Sequence, residues 1–243
     1  TISTLNYWGM GTSGTGLDFD QQNSAEILDK QNKLDGMAAM TLSFWYAPAR
    51  ELTKSTTKMV LLQKGNTASY FCGINLFSST NTYPELACQV HGPTHAQSSV
   101  VYAQFEAEAN QWRLVTLVVD GALGKITLYL DGQQAGTPAS FGSSVYGSFQ
   151  ALSLGRGKGT STFNPLPASG HMDELKIWKR ALSAAEAKVL YNTTKPTECV
   201  TPKVAKECSS GYCAVPAGCF VMGSTTSESC RSSTAHAETQ RRV

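Results

Sequence analysis

Three kinds of side chain in this 243-residue chain could do chemistry: closely spaced carboxylates, four histidines and seven cysteines. Two carboxylates on one strand face can share acid and nucleophile roles at a glycosidic bond. Glu106 and Glu108 have the two-residue spacing for it, but EAEANQ (106–111) reads as a solvated loop before Trp112. The adjacent pair Asp173 and Glu174 has no matching partner. His91, His95, His171 and His236 show neither metal-ligand spacing nor pairing with a nucleophile, so each reads as a surface or loop residue.

Cysteine carries more information. If SYFCGINLF (69–77) pairs with PELACQV (84–90) so that Ile74 faces Leu86, Cys72 falls opposite Cys88. Directly opposed Cβ atoms lie close enough for a disulfide, which would be structural; the alternative is two buried free thiols. The other five, Cys199, Cys208, Cys213, Cys219 and Cys230, crowd into the last quarter. Their number is odd, so at least one is free or pairs beyond Val243. CSSGYC (208–213) could close a small Cys208–Cys213 loop, whereas the spacing suits a zinc knuckle poorly.

These groups need elements to hold them, and the pattern is one of short strands. MTLSFWY (40–46), KMVLLQ (58–63), SVVYAQF (99–105), WRLVTLVVD (112–120) and KITLYLDG (125–132) join the two cysteine strands. Each is β-branched or aromatic and bounded by Gly, Asn, Ser or Pro. Helical periodicity is nearly absent before Ser183, so an antiparallel sandwich or jelly roll is predicted rather than βαβ units. The turn at GALG should set Leu117 against Leu128 and Val119 against Ile126. MDELKIW (172–178) reads as a last strand, alternating Met172, Glu174, Lys176 and Trp178 against Asp173, Leu175 and Ile177. Ser183 and Glu186 have capping-box spacing for a short helix, AAEAKVLYN, expected to tuck against one edge of the sandwich.

Charge and hydropathy exclude some partners. Only 16% of residues are charged and the net charge is +2, so nucleic acid is not an expected partner. No apolar run approaches the roughly 20 residues that span a bilayer. TISTLNYWGM lacks a basic start and apolar core, so any signal peptide is expected to be already removed. Cysteine usage points to an oxidising compartment, hence a secreted or cell-surface protein, with a bacterial source expected.

In chain order, LDFD (17–20), MTLSFWYAP (40–48), NQWRLVTLVVDGALGKITLYLDGQQAG (110–136), LSLGRG (152–157) and GHMDELKIWKRALSAAEAKVLYN (170–192) resemble the laminin-G-like branch of the concanavalin A-like lectin/glucanase superfamily. The resemblance implies an all-β, two-sheet antiparallel jelly roll that binds sugars, glycosaminoglycans or proteins outside cells. Fold analogy does not fix the ligand. Glucanase relatives carry an E-x-D-x-x-E strand; EILDKQ (26–31) has its carboxylates at the wrong spacing, so no catalytic residue is assigned. The resemblance also implies a structural Ca²⁺ at Asp173, with Asp18 or Asp20 as companions, against the alternative that Asp173 hydrogen-bonds loop amides. Trp45, Trp112 and Trp178 match core or strand positions of the family pattern. Tyr7, Trp8, Tyr83 and Tyr146 fall outside it and could line a ligand-binding face.

The remainder reads as a linker (193–207) and a Cys-rich segment (208–243). In the latter, VPAGCFVMGS (215–224) resembles the opening of the formylglycine-generating-enzyme/sulfatase-modifying-factor family, whose catalytic cysteines would lie past Val243. The expected function of residues 1–192 is a non-catalytic extracellular module for glycan or protein recognition, adhesion or surface assembly, with self-association open. The alternatives are an accessory domain positioning a downstream sulfatase-modifying-factor-like domain, and a subunit of a surface fibre.

Overall fold

The structure, a computed structural model, describes residues 8–12, 15–53, 58–66, 68–77, 82–157 and 166–196, with the backbone of 221–222 and 241–242. It divides into two units, Thr1–Lys195 and Pro196–Val243. The strands of the first unit begin with β1 (Trp8–Met10), β2 (Thr15–Asp20), β3 (Ala25–Ile27), β4 (Ala39–Pro48) and β5 (Met59–Lys64). Next come β6 (Tyr70–Ile74), β7 (Glu85–His91), β8 (Ser98–Gln104), β9 (Arg113–Asp120) and β10 (Lys125–Leu130). β11 (Gln133–Ser140), β12 (Leu152–Leu154), β13 (Leu166–Pro167), β14 (Ser169–Trp178) and the helix α1 (Ala184–Thr194) complete the unit. In the second unit a short antiparallel pair sets β15 (Val221–Met222) against β16 (Arg241–Arg242).

The strands form two sheets. Sheet A runs β1-β2-β14-β4-β9-β10-β11; sheet B runs β3-β12-β5-β6-β7-β8, with β13 parallel to β5. Alternation decides which side chains meet between them. Leu117 faces Leu128 and Val119 faces Ile126, as their spacing predicts, and all four lie in the central core. Met40, Leu42, Phe44 and Tyr46 of β4 supply one wall, and Leu61, Tyr70, Ile74 and Leu86 of sheet B the other.

Cys72 pairs with Cys88 in register, Ile74 with Leu86, and the two cysteines are joined by a disulfide. Both are buried in the core. The free-thiol alternative is thereby removed.

β14 departs from simple alternation. Met172 is buried in the core, yet Leu175 and Ile177, at odd offsets from it, pack on the same core. A bulge between Asp173 and Lys176 accommodates this, with Glu174 in the left-handed region at φ 52°. The extra residue flips the phase of the strand, which uninterrupted alternation could not do.

The helix does more than meet an edge. It touches β11, the edge strand of sheet A, and also covers the outer face of that sheet, where Ala187 and Leu190 pack with Val118, Tyr129 and Trp178. Trp45 points to that face too; its Nε1 donates to Thr194 Oγ1 at 3.1 Å, and its ring centre lies 5.8 Å from that of Tyr191. Outward-facing apolar residues on the central strands need cover more than the edge does. The capping box is present: Ser183 Oγ accepts from Glu186 N, and Ser183 N donates to Glu186 Oε2 at 2.8 Å. Ser183→Ala should therefore cost about 1 kcal/mol in a urea titration.

At the far edge the two sheets touch. A side chain at Gly136 of β11, where φ is 69°, would place its Cβ 1.8 Å from the Tyr102 carbonyl oxygen of β8. Only glycine permits that approach. The antiparallel order then sends the connections to two ends of the sandwich. Pro48, Pro84 and Arg113 mark one end; Lys64, His91 and Tyr146 mark the other.

Candidate ligand-binding cleft

Three connections meet at the first end: 49–53 after β4, 82–84 before β7 and 105–112 between β8 and β9. Backbone hydrogen bonds tie them together. Phe105 N donates to Pro84 O at 2.9 Å, Leu52 N to Ala107 O at 3.2 Å and Asn110 N to Pro48 O at 2.7 Å. Phe105 and Ala107 are buried while Glu106 and Glu108 are exposed. The segment thus keeps strand alternation without ladder pairing, and both glutamates face outward.

Between these connections lies a cleft of about 540 Å³. Tyr83 is half-buried in its wall, next to buried Pro84, which restricts the tyrosine backbone to extended conformations. Thr53, Thr82 and Gln111 supply neutral polar groups, and Glu51, Glu106 and Glu108 supply carboxylates. Gln111 Oε1 accepts from Glu108 N at 3.0 Å, and the Gln104 amide donates to Glu106 Oε1. Arg113, also in the lining, has its Nε 2.6 Å from Asp131 Oδ2, and its Nη1 donates to the Glu106 carbonyl oxygen at 2.6 Å. An aromatic face beside converging acceptors and amides can stack a pyranose ring and receive its hydroxyl protons.

The four aromatic candidates are dispersed. Tyr83 lines the cleft. Tyr146 lies at the opposite end, where its ring meets that of His95 edge-on at 4.9 Å, and His95 stacks on His91 at 4.2 Å. Burial pushes the His91 imidazole below its usual pKa, against the hydrogen bond of its Nδ1 with the His95 carbonyl. The backbone of Trp8 pairs with Leu17 in sheet A. Tyr7, like Cys208 and Cys213, lies outside the described residues. Glu51, Gln111 and Arg113 join the site without a sequence signal of their own. What brings them together is the strand register, which sends three distant connections to one end.

The three aspartates expected near a cation are each engaged locally. Asp173 Oδ2 accepts from Thr12 N at 2.8 Å and Thr12 Oγ1 at 2.9 Å, and its Oδ1 accepts from Glu174 N at 2.7 Å. Asp18 Oδ1 lies 3.3 Å from His171 Nδ1. Asp20 Oδ1 closes its own turn by accepting from Gln22 N and Asn23 N. Ca²⁺ takes six to eight oxygens, and among the described residues no three His, Cys, Asp or Glu side chains gather to hold a metal. Asp173 holds the loop at Thr12 through these bonds, and no function here is routed through a cation.

Two other hollows lack an aromatic wall. A trough of about 600 Å³ follows residues 26–34, and an apolar slot of about 230 Å³ separates β2 and β14 from β3 and β12. At the same end as the trough, Lys64 is fully buried. Its Nζ lies 2.9 Å from Asp35 Oδ2 and 3.3 Å from Asp29 Oδ2 and donates to the Gln150 carbonyl oxygen. Asp35 Oδ2 also accepts from Ser69 Oγ, Ser148 N and Ser148 Oγ at 2.8–3.0 Å. Burial pushes both carboxyls up, but hydrogen bonds and the Lys64 charge outweigh it and hold them below the usual range. This cluster ties connections together and leaves the ligand question to the Tyr83 cleft.

The family model described as the concanavalin A-like lectin/glucanases superfamily (Laminin_G_3) matches residues 19–188. No curated protein matches the chain. Among solved structures, the binding domain of Paraclostridial Mosquitocidal Protein 1 is similar at a TM-score of 0.60 and 14% identity, over 83% of this chain and 49% of that one. The Botulinum Neurotoxin serotype G binding domain gives 0.58 and 12%, over 83% and 50%. This chain thus spans about half the length of either toxin domain. Domain 4 of AbnA, a GH43 extracellular arabinanase from Geobacillus stearothermophilus solved with arabinotriose, gives 0.50 and 20%, over 79% and 81%. At these identities the likeness is one of fold.

Proposed function

The chain belongs to the concanavalin A-like lectin/glucanase superfamily, and from that premise we propose that its jelly roll is a non-catalytic extracellular module that binds a glycan in the Tyr83 cleft. One observation carries the reading: a half-buried tyrosine shares a cleft of about 540 Å³ with converging carboxylate, hydroxyl and amide groups. The arabinotriose complex of the arabinanase domain supports an oligosaccharide as the type of ligand. The buried Cys72–Cys88 disulfide supports an oxidising, extracellular setting. No helix among the described residues is long and apolar enough to cross a membrane.

Binding to a glycan array, followed by calorimetry on the hits, tests the proposal. Tyr83→Ala should weaken binding roughly tenfold to hundredfold, as removal of an aromatic anchor does. Tyr146→Ala, at the opposite end, should leave affinity unchanged. If affinity follows Tyr146 instead, the site is misplaced. Activity against glycosidic substrates should be absent in both the parent protein and the Glu106→Gln variant.

A further inference from the structure

The charge of the Tyr83 cleft narrows its ligand, an inference that rests on the glycan-binding reading above. Among the described lining residues, Glu51, Glu106 and Glu108 are exposed carboxylates, and Arg113 is the one cation. That cation is already spent. Asp131 matches its charge at 2.6 Å, its Nη1 is held by the Glu106 carbonyl, and its guanidinium carbon lies 5.9 Å from the centre of the buried Phe105 ring. The carboxylates, in contrast, are exposed along the lining, and the Gln104 amide orders that of Glu106. A ligand entering along Tyr83 therefore meets negative charge, with no unpaired cation among the described lining residues. Nor, among the described residues, do these carboxylates belong to a group of three or more acidic, His or Cys side chains placed to hold a metal.

We propose that this cleft selects a glycan bearing free amino groups and refuses glycans bearing carboxylate or sulfate. A sugar ammonium offers three donors to the glutamates while the C–H face of the ring rests on Tyr83, a division of labour in which the aromatic gives affinity and the acids give selection. Like charges brought together in the same cleft repel, and this exclusion is what discriminates.

The test compares three probes of equal length on the full chain at pH 6: a glucosamine tetrasaccharide, its fully N-acetylated counterpart and a heparin tetrasaccharide. Calorimetry at low and high salt should show the free-amine probe binding roughly tenfold tighter than the N-acetylated one, an advantage that shrinks with salt. Heparin should not bind. Glu51→Gln/Glu106→Gln/Glu108→Gln should abolish the preference while retaining the neutral probe, and Tyr83→Ala should weaken both sugars. Heparin binding, or a preference that survives the triple substitution, overturns the inference. Equal, Tyr83-dependent binding of amine and N-acetyl probes overturns it too but leaves the glycan reading standing. Failure of a full glycan array as well as these probes removes that reading itself.

Discussion

Lys64→Met is expected to lower stability by about 3–5 kcal/mol at pH 7, because it leaves two carboxylates buried without their cation. The ammonium is fully buried between Asp29 and Asp35, whose side chains are 4% and 0% exposed, so solvent cannot substitute for it. The pH dependence gives the test its edge. In the parent protein both carboxyls are held below their usual pKa. Stability from such groups is present above the unfolded value, about 3.9, and is lost as pH falls through the folded value. Without Lys64 both carboxyls lose a charge and hydrogen bonds that lower their pKa values, so in the variant they take up protons at higher pH than in the parent and the penalty relaxes. Urea titrations at pH 7, 5.5 and 4 should show the gap between parent and variant closing as pH falls. A gap that stays constant would show that the loss comes from packing rather than charge.

The second large effect lies in sheet B. Replacing both Cys72 and Cys88 with alanine should cost about 2–4 kcal/mol, the range for a crosslink that closes a loop of this size; the two positions are 16 residues apart. The melting temperature should fall by roughly 5–15 °C. Because both sulfurs lie inside the core, dithiothreitol should leave the native protein oxidised and act only once denaturant opens the sandwich. Rapid reduction of the folded protein, read by thiol titration, would contradict this burial.

What was legible in advance was local. The Cys72–Cys88 pairing, the registers around GALG and the Ser183 capping box each follow from residues within about twenty positions of one another, where alternation and spacing are sufficient. Three features were not legible, for a shared reason. The Lys64 cluster joins the end of β5 to residues from three connections, and a lysine closing KMVLLQK carries no mark of its burial. The β14 bulge breaks alternation at Glu174, a residue that seldom adopts positive φ and gives no notice of it. The Tyr83 cleft depends on which end each connection reaches, and this also separates Tyr83 from Tyr146. Trp45 was legible as buried, but its partners on α1 were not, because sheet coverage is decided after the sheets exist.

The position of β14 bears on how the protein comes to be made. It is the strand nearest the end of the jelly roll in sequence, yet it is inserted between β2 and β4 in the middle of sheet A. Thr12 and Asp173, which it helps to join, are 161 residues apart. During synthesis β2 and β4 therefore wait with a gap between them and two unpaired edges open to any passing strand. The sandwich can close only when almost its whole length has been delivered, so it is bound to fold late and slowly, as topologies built from distant pairings do.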